Sequence, residues 1–230
     1  MMRKERIGVF GGTFNPVHRG HVKAAAEVLK KFRLERILFV PARVPPHKRL
    51  EGIAPAKDRM RMVELALRGR RRLVPSPIEI RARGTSYSIR TLAKLKKLFP
   101  GARIFFILGV DAFLEIETWK EWRKVLKEAL LIVMTRPGFH LSEAAHVLGE
   151  DFRRLIFAVP RAARFRETWL SRYRVFLLPI RALKMSSTEI RAMIRTGRPL
   201  HGWVEPSVER YIQRHGFFRD SEPGRRDTHG

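Results

Sequence analysis

The chain contains no cysteine, which removes disulfides, thiolate zinc sites and cysteine nucleophiles in one step. Any metal must be held by oxygen or imidazole ligands, or arrive on a substrate. No run approaches the roughly 20 apolar residues that span a bilayer. The start, Met1-Met2-Arg3-Lys4-Glu5, leads into a strand pattern with no signal-peptide core, so a cytoplasmic protein with no membrane partner is expected. Neither a GxGxxG turn nor a GxxxxGKS/T loop is present, which argues against a dinucleotide-binding dehydrogenase and a P-loop NTPase. Acidic residues are scarce: 22 Asp+Glu stand against 48 Lys+Arg, a formal charge of +26. Such a field attracts polyanions over a Debye length or more. The bases are spread through the chain, with thickenings at Arg68-Gly69-Arg70-Arg71-Arg72 and from Arg153 to Arg181, so the excess marks no particular site. Nucleic-acid binding, if any, is expected to be nonspecific and steeply salt-dependent.

What is present suits a folded α/β protein. With 230 residues and 44% hydrophobic content, the chain can bury a sizeable core, read as one domain over residues 1–218 and a frayed polar tail over 219–230. Strand-like runs fall at Glu5–Phe10, Arg36–Val40, Leu73–Ile80, Arg103–Leu108, Leu130–Met134, Arg154–Val159 and Val175–Pro179. Helical spacing falls at Val22–Phe32, Asp58–Leu67, Ser88–Leu98 and Trp122–Glu128. This alternation predicts a Rossmann-like, doubly wound parallel sheet covered on both faces. Ser187–Arg195 and Pro206–His215 read as two helices of a small C-terminal piece spanning about 186–218. Nothing in the sequence fixes the oligomeric state, and a homo-oligomer is compatible with it.

The chemistry gathers where the first strand meets the first helix, at Gly11-Gly12-Thr13-Phe14-Asn15-Pro16-Val17-His18-Arg19-Gly20-His21. Glycines at a strand's carboxyl end let backbone N–H groups approach a phosphate, and the helix N-terminus adds partial positive charge. His18 and His21, three apart, share a face if the helix includes both; a pair of structural histidines has the same spacing. A second cluster, Met185-Ser186-Ser187-Thr188-Glu189-Ile190-Arg191, opens a late helix. Its hydroxyls can serve as caps, but capping has no use for Arg191 one turn on.

The first run resembles the (T/H)xGH signature of the nucleotidyltransferase superfamily, and the second resembles its ISSTxIR motif, with Met185 in place of the first isoleucine. Four further segments occur in the order found in bacterial nicotinate-nucleotide adenylyltransferases. They are Pro45-Pro46-His47-Lys48, Gly84-Thr85-Ser86-Tyr87-Ser88, Gly109-Val110-Asp111 followed by Trp119, and Arg136-Pro137-Gly138. The end of the chain, from Val204 to Phe218, is similar as well, so the resemblance covers nearly all of it from Gly8 onward.

The resemblance implies transfer of AMP from ATP to nicotinate mononucleotide, with ATP arriving as its Mg²⁺ complex and no protein-built metal site. It implies His18, His21 and Arg191 as catalytic residues. For ATP it implies Gly11, Gly12, Thr13, Phe14, Gly109, Asp111, Arg136, Ser186, Ser187, Thr188 and Arg191. For the acceptor it implies Asn15, His47, Lys48, Thr85, Tyr87, Ser88 and Trp119, the last as a π-face for the pyridine ring. Read without the resemblance, Trp119 and Trp122 fit one amphipathic helix, Ser88 fits a helix cap, and His47 with Lys48 fits a solvated basic loop.

Three features depart from the family pattern. Arg90 stands where an aspartate is common, Lys120 where an aromatic often follows the tryptophan, and Pro160–Tyr173 is an added basic segment. Two rivals remain at this point. One is a sister enzyme with another acceptor, such as the amidated pyridine nucleotide, a pantetheine phosphate or a CTP-linked alcohol phosphate. The other is a nucleic-acid-binding protein on the same fold, although no RNP-like aromatic motif, zinc finger or obvious recognition helix is present.

Overall fold

A computed structural model describes residues 4–46, 51–135, 147–180 and 185–219, with only the backbone of residues 150 and 151. In chain order the elements are β1 (Arg6–Gly12), α1 (Arg19–Lys31), β2 (Arg36–Pro41), α2 (Ala56–Leu67), β3 (Leu73–Pro75), α3 (Ser88–Leu98), β4 (Arg103–Gly109) and α4 (Val110–Leu114). A 3₁₀ turn (Ile116–Thr118) then leads to α5 (Trp122–Glu128), β5 (Leu130–Thr135), α6 (Glu150–Arg153), β6 (Ile156–Ala158), α7 (Thr168–Arg172), β7 (Val175–Pro179), α8 (Ser187–Arg195) and α9 (Pro206–His215). The strands form one sheet in the order β3-β2-β1-β4-β5-β7-β6, and every pairing is parallel.

Alternate residues of each central strand feed two separate cores. Phe105 and Ile107 of β4 join Ile132 of β5 and Phe176 of β7 on one face, packed under α1, α2, α8 and α9. Ile104, Phe106 and Leu108 join Val133 and Leu177 on the other face, under α3 and α5. A strand buried on both sides has no polar positions to spare, which explains the unbroken apolar runs. Burying one such phenylalanine is worth roughly 1.5–3 kcal/mol.

From β1 the chain winds outward through β2 to β3, then returns to lay β4 on the other side of β1. The β1/β4 boundary is therefore a topological switch point, where open α/β sheets leave a crevice at the strands' carboxyl ends. Hydrogen bonds in register from Arg6↔Arg103 to Phe10↔Ile107 bring Gly11 and Gly109 to the same end of the sheet.

The expected α/β organisation and the two C-terminal helices are present. The strand expected over Leu73–Ile80 stops at Pro75, because Pro75 and Pro77 offer no N–H to a neighbour and residues 78–81 turn instead. Helices α4, α6 and α7 are too short for a helical period to show in the sequence. Apart from Arg219, the residues expected to form a frayed tail lie outside those described.

The added segment 160–173 docks at the opposite end of the sheet from the switch-point crevice. Glu167 accepts from Arg6 at 2.5 Å and from Arg103 at 3.0 Å, the first residues of β1 and β4. Phe165 lies 5.0 Å below the Arg6 guanidinium, and Lys31 Nζ donates to the carbonyls of Pro160, Arg161 and Ala163.

Candidate active site

His18 is the N-cap of α1, and its relation to His21 is reciprocal. His18 Nδ1 accepts the His21 backbone N–H at 3.4 Å, and His21 Nδ1 accepts the His18 N–H at 3.2 Å. The ring centroids lie 3.6 Å apart, with the planes tilted by 31°. Because both Nδ1 atoms accept, each neutral ring carries its proton on Nε2. Gly20 makes room for this arrangement: a Cβ there would sit 2.9 Å from His18 Nδ1.

The turn before the helix is held from below and from the side. Phe14 adopts a left-handed backbone (φ 49°) and packs against Phe10, His21 and Phe39, contacts that over-determine an unfavourable conformation. The Asn15 amide is engaged at both ends by the 52–54 loop, donating to Gly52 O at 3.0 Å and accepting from Ala54 N at 2.9 Å. The side chain of Asn15, expected at the acceptor, also holds that loop.

Helix α8 brings the second cluster onto the same turn. Ser187 Oγ donates to Pro16 O at 2.9 Å, and Arg191 donates to Asn15 O at 2.9 Å and to Thr188 Oγ1 at 3.3 Å. Ser186 is the N-cap of α8, its oxygen accepting the Glu189 N–H at 3.1 Å and its hydroxyl donating to the Glu189 carboxylate at 2.8 Å. Burial, then the nearby Arg195, lowers the Arg191 pKa from its ordinary value, so a bound anion is the natural compensation for both.

Beside the turn lies a cleft of about 230 Å³. Gly11, Gly12, Thr13, Gly109, Tyr87, Ser88, Trp119 and Lys120 are among the residues that line it. Among the described residues, nothing lies within 4 Å of a Cβ built on Gly109, which lines the cleft. Trp119 is half-buried, edge-on to Phe106 with centroids 6.0 Å apart. It lies between the 3₁₀ turn and α5, whereas Trp122 starts α5 and is buried, so the two tryptophans do not share one helix. The cap of α3 is Tyr87 rather than Ser88.

Of the remaining expected residues, Asp111 is exposed in the first turn of α4, and Thr85 is half-buried but does not line the cleft. His47, Lys48 and Arg136 lie outside the described residues. Among the described residues, no three His, Asp or Glu side chains converge as a metal cage. No helix among them is long and apolar enough to cross a membrane.

Comparison with known proteins agrees with this geometry. A cytidylyltransferase-like family profile matches residues 9–193. A protein of Desulfatibacillum aliphaticivorans named "Probable nicotinate-nucleotide adenylyltransferase" is 38% identical over 220 residues, covering 93% of this chain and 99% of its own length. One of the same name from Thermus thermophilus is 37% identical over 214 residues, covering 93% and 100%. The chain belongs to the nicotinate-nucleotide adenylyltransferase family. The same fold is seen in the nicotinic acid mononucleotide adenylyltransferase of Plasmodium falciparum complexed with NaAD, with a TM-score of 0.69 at 18% identity over 93% of this chain and 97% of that one.

Two buried charges of this adenylyltransferase-family site escaped the sequence reading. Arg59 of α2 donates to the carbonyls of Ala54 (2.9 Å), Thr13 (2.8 Å) and Arg43 (3.1 Å), tying together three loops around the cleft. Desolvation lowers its pKa to about 10, partly opposed by Glu79. Glu79 lines the cleft wall and accepts the Thr91 hydroxyl at 2.6 Å. Burial raises its pKa, opposed by hydrogen bonds from Thr91 and Ser86 and by Lys94 and Arg59. The available signal was local: a lone arginine at an apolar helical position and a lone glutamate inside an apolar run.

The two single-residue departures from the family pattern converge on one ring. Arg90 lies 5.3 Å and Lys120 5.1 Å from the Tyr87 centroid.

Proposed function

We propose that this chain transfers AMP from ATP to nicotinate mononucleotide, releasing pyrophosphate and leaving nicotinate adenine dinucleotide, on the route to NAD. The observation that carries this reading is the aromatic cleft at Trp119, opening beside the turn that holds His18 and His21 and to which α8 is bonded. An aromatic chamber for a pyridine ring adjoins a double anion site, as adenylyl transfer to such an acceptor requires.

The acceptor's phosphate oxygen attacks the α-phosphorus of ATP in line; the new P–O bond forms as the bond to the bridging oxygen breaks, and pyrophosphate leaves with that electron pair. The nucleophile is already an anion, so no base and no covalent intermediate are needed. The protein's task is to hold two mutually repelling polyanions together and to stabilise charge on the α-phosphoryl and leaving oxygens. The Nε2–H groups of His18 and His21 serve the α-phosphoryl oxygens, and Ser187, Thr188 and Arg191 the β- and γ-phosphates. Gly11, Gly12 and Thr13 contribute backbone N–H groups, and Gly109 with Asp111 the ribose side. Trp119 stacks on the pyridine ring, Tyr87 and Ser88 adjoin it, and His47 with Lys48 reaches the acceptor phosphate. ATP is taken as its Mg²⁺ complex, which offsets part of the phosphate charge.

The test is pyrophosphate release from MgATP with nicotinate mononucleotide, nicotinamide mononucleotide and phosphopantetheine in separate reactions. Release with the nicotinate form is the expected result. Release only with another acceptor would reassign the cleft, and none with any acceptor would overturn the reading.

A further inference from the structure

We propose that Lys120 and Arg90 form a cationic clamp on Tyr87 that selects an acceptor bearing a carboxylate over its amide counterpart. The inference rests on the acceptor assigned above and names the side chains that set its acid preference.

The clamp is built from two segments. Tyr87 caps α3, Arg90 is one turn into that helix, and Lys120 follows Trp119 in the 3₁₀-to-α5 connection. Both cations lie over the one ring, at 5.1 and 5.3 Å from its centroid. Two like charges held against one ring repel each other, and the ring quadrupole offsets only part of that. Both side chains are exposed, and neither forms an ion pair among the described residues. An anion bound beside them relieves the repulsion; a neutral amide does not.

The surrounding charges favour an acid ligand at this rim rather than deeper in the cleft. Tyr87, Trp119 and Lys120 all line the cleft, so a ring stacked on Trp119 presents its substituents within reach of the ammonium. The inner wall carries the Glu79 carboxyl, whose neighbours Thr91, Ser86, Lys94 and Arg59 already serve it. A second carboxylate there would be repelled. The Glu121 carboxylate, adjacent to Lys120 in the chain, is bonded first to Lys124, and Lys120 and Arg90 act on it only as weaker charges. The pair therefore keeps positive charge available for a ligand.

The experiment measures kcat/KM for nicotinate mononucleotide and nicotinamide mononucleotide, by pyrophosphate release, in the wild-type protein and in Lys120→Met, Arg90→Met and Lys120→Arg. Lys120→Met should lower the acid-to-amide ratio by about tenfold, the scale of one charge-assisted contact. Arg90→Met should lower it less, and Lys120→Arg should restore most of it. Because both positions are exposed, folding is not at stake, and the ratio cancels any general loss of activity. Raising ionic strength should narrow the wild-type ratio and leave that of Lys120→Met nearly flat. Parallel loss on both acceptors, or an unchanged ratio, overturns the clamp while leaving the proposed reaction standing. A wild-type protein that favours the amide also overturns it. Inactivity of the wild-type protein on both acceptors removes the proposed reaction and the clamp together.

Discussion

His18 and His21 each use Nδ1 to accept the other's backbone N–H, at 3.4 and 3.2 Å, so the same contact that caps α1 also fixes Nε2 as the protonated nitrogen of each neutral ring. Capping and catalysis are therefore separable by substitution. His21→Asn places an amide oxygen near the position of Nδ1 and can keep the cap, but it has no group at Nε2. Both His21→Ala and His21→Asn should lower turnover by at least about 10²-fold, the usual loss for one transition-state donor. Only the alanine variant should also melt earlier. Near-normal turnover in His21→Asn would reduce the histidine to a cap.

Gly20→Ala tests the ring position without touching either histidine. A Cβ at residue 20 meets His18 Nδ1 at 2.9 Å and Cε1 at 3.0 Å, so the ring must give way. Alanine in a helix is otherwise favoured over glycine by roughly 1 kcal/mol. Thermal stability should hold or rise while kcat falls about tenfold, a loss of some 1.4 kcal/mol of transition-state stabilisation. Stability and activity moving together would show that the ring tolerates displacement.

The parts of this molecule legible in the sequence are those in which one segment carries its own signal. The apolar runs of β4, β5 and β7 announce a buried parallel sheet, and Gly11 to His21 announces an anion-binding turn. The partners of Arg59 and Glu79 were not legible, because each joins separate elements without a periodic spacing: Arg59 reaches Thr13, 46 positions away, and Glu79 meets Thr91 inside α3. Nor does sequence spacing show that Asn15 holds the 52–54 loop, since a side chain's partner is a tertiary fact. Arg90 and Lys120 read as unrelated exceptions until the fold put both on Tyr87.

Trp119→Ala and Gly109→Ala probe the cleft with opposite changes in volume. Removing the indole takes away the stacking face and should raise the acceptor KM severalfold with little change for ATP. Gly109 has an ordinary extended backbone (φ −75°, ψ 158°), and a methyl there meets no atom of the described residues within 4 Å. Its stability should be unchanged while the KM for ATP rises, since Gly109 lines the cleft. A higher KM for ATP in Trp119→Ala, with the acceptor unaffected, would move the pyridine pocket elsewhere.

Glu79 sets a pH dependence whose sign follows from burial. Its folded-state pKa lies above the ordinary value of 4.5, so the folded protein holds that proton more tightly than the unfolded chain. The group's contribution to stability is complete below the unfolded value and is lost as pH rises through the folded one. Glu79→Gln cannot titrate. In urea denaturation, the stability of the wild-type protein relative to Glu79→Gln should be greatest near pH 4.5 and decline toward neutrality. A relative stability that climbs over that range would mean that the hydrogen bonds from Thr91 and Ser86 outweigh desolvation.

Arg59 is where the cleft's framework is most exposed to a single substitution. Its guanidinium is 1% exposed and supplies donors to three carbonyls on three different loops. Methionine fills much of the same volume but leaves Thr13 O, Arg43 O and Ala54 O without those donors and Glu79 without its nearby buried cation. Losing one partner from a buried charged network costs about 3–5 kcal/mol, a large share of the stability of a protein this size. Arg59→Met should lose that much in urea denaturation. Arg59→Lys, a point charge in place of a planar fork, should recover less than half, because one ammonium cannot reach carbonyls arranged for separate guanidinium nitrogens. Full recovery by lysine would show that the site needs only the charge, and that the three loops are held by other contacts.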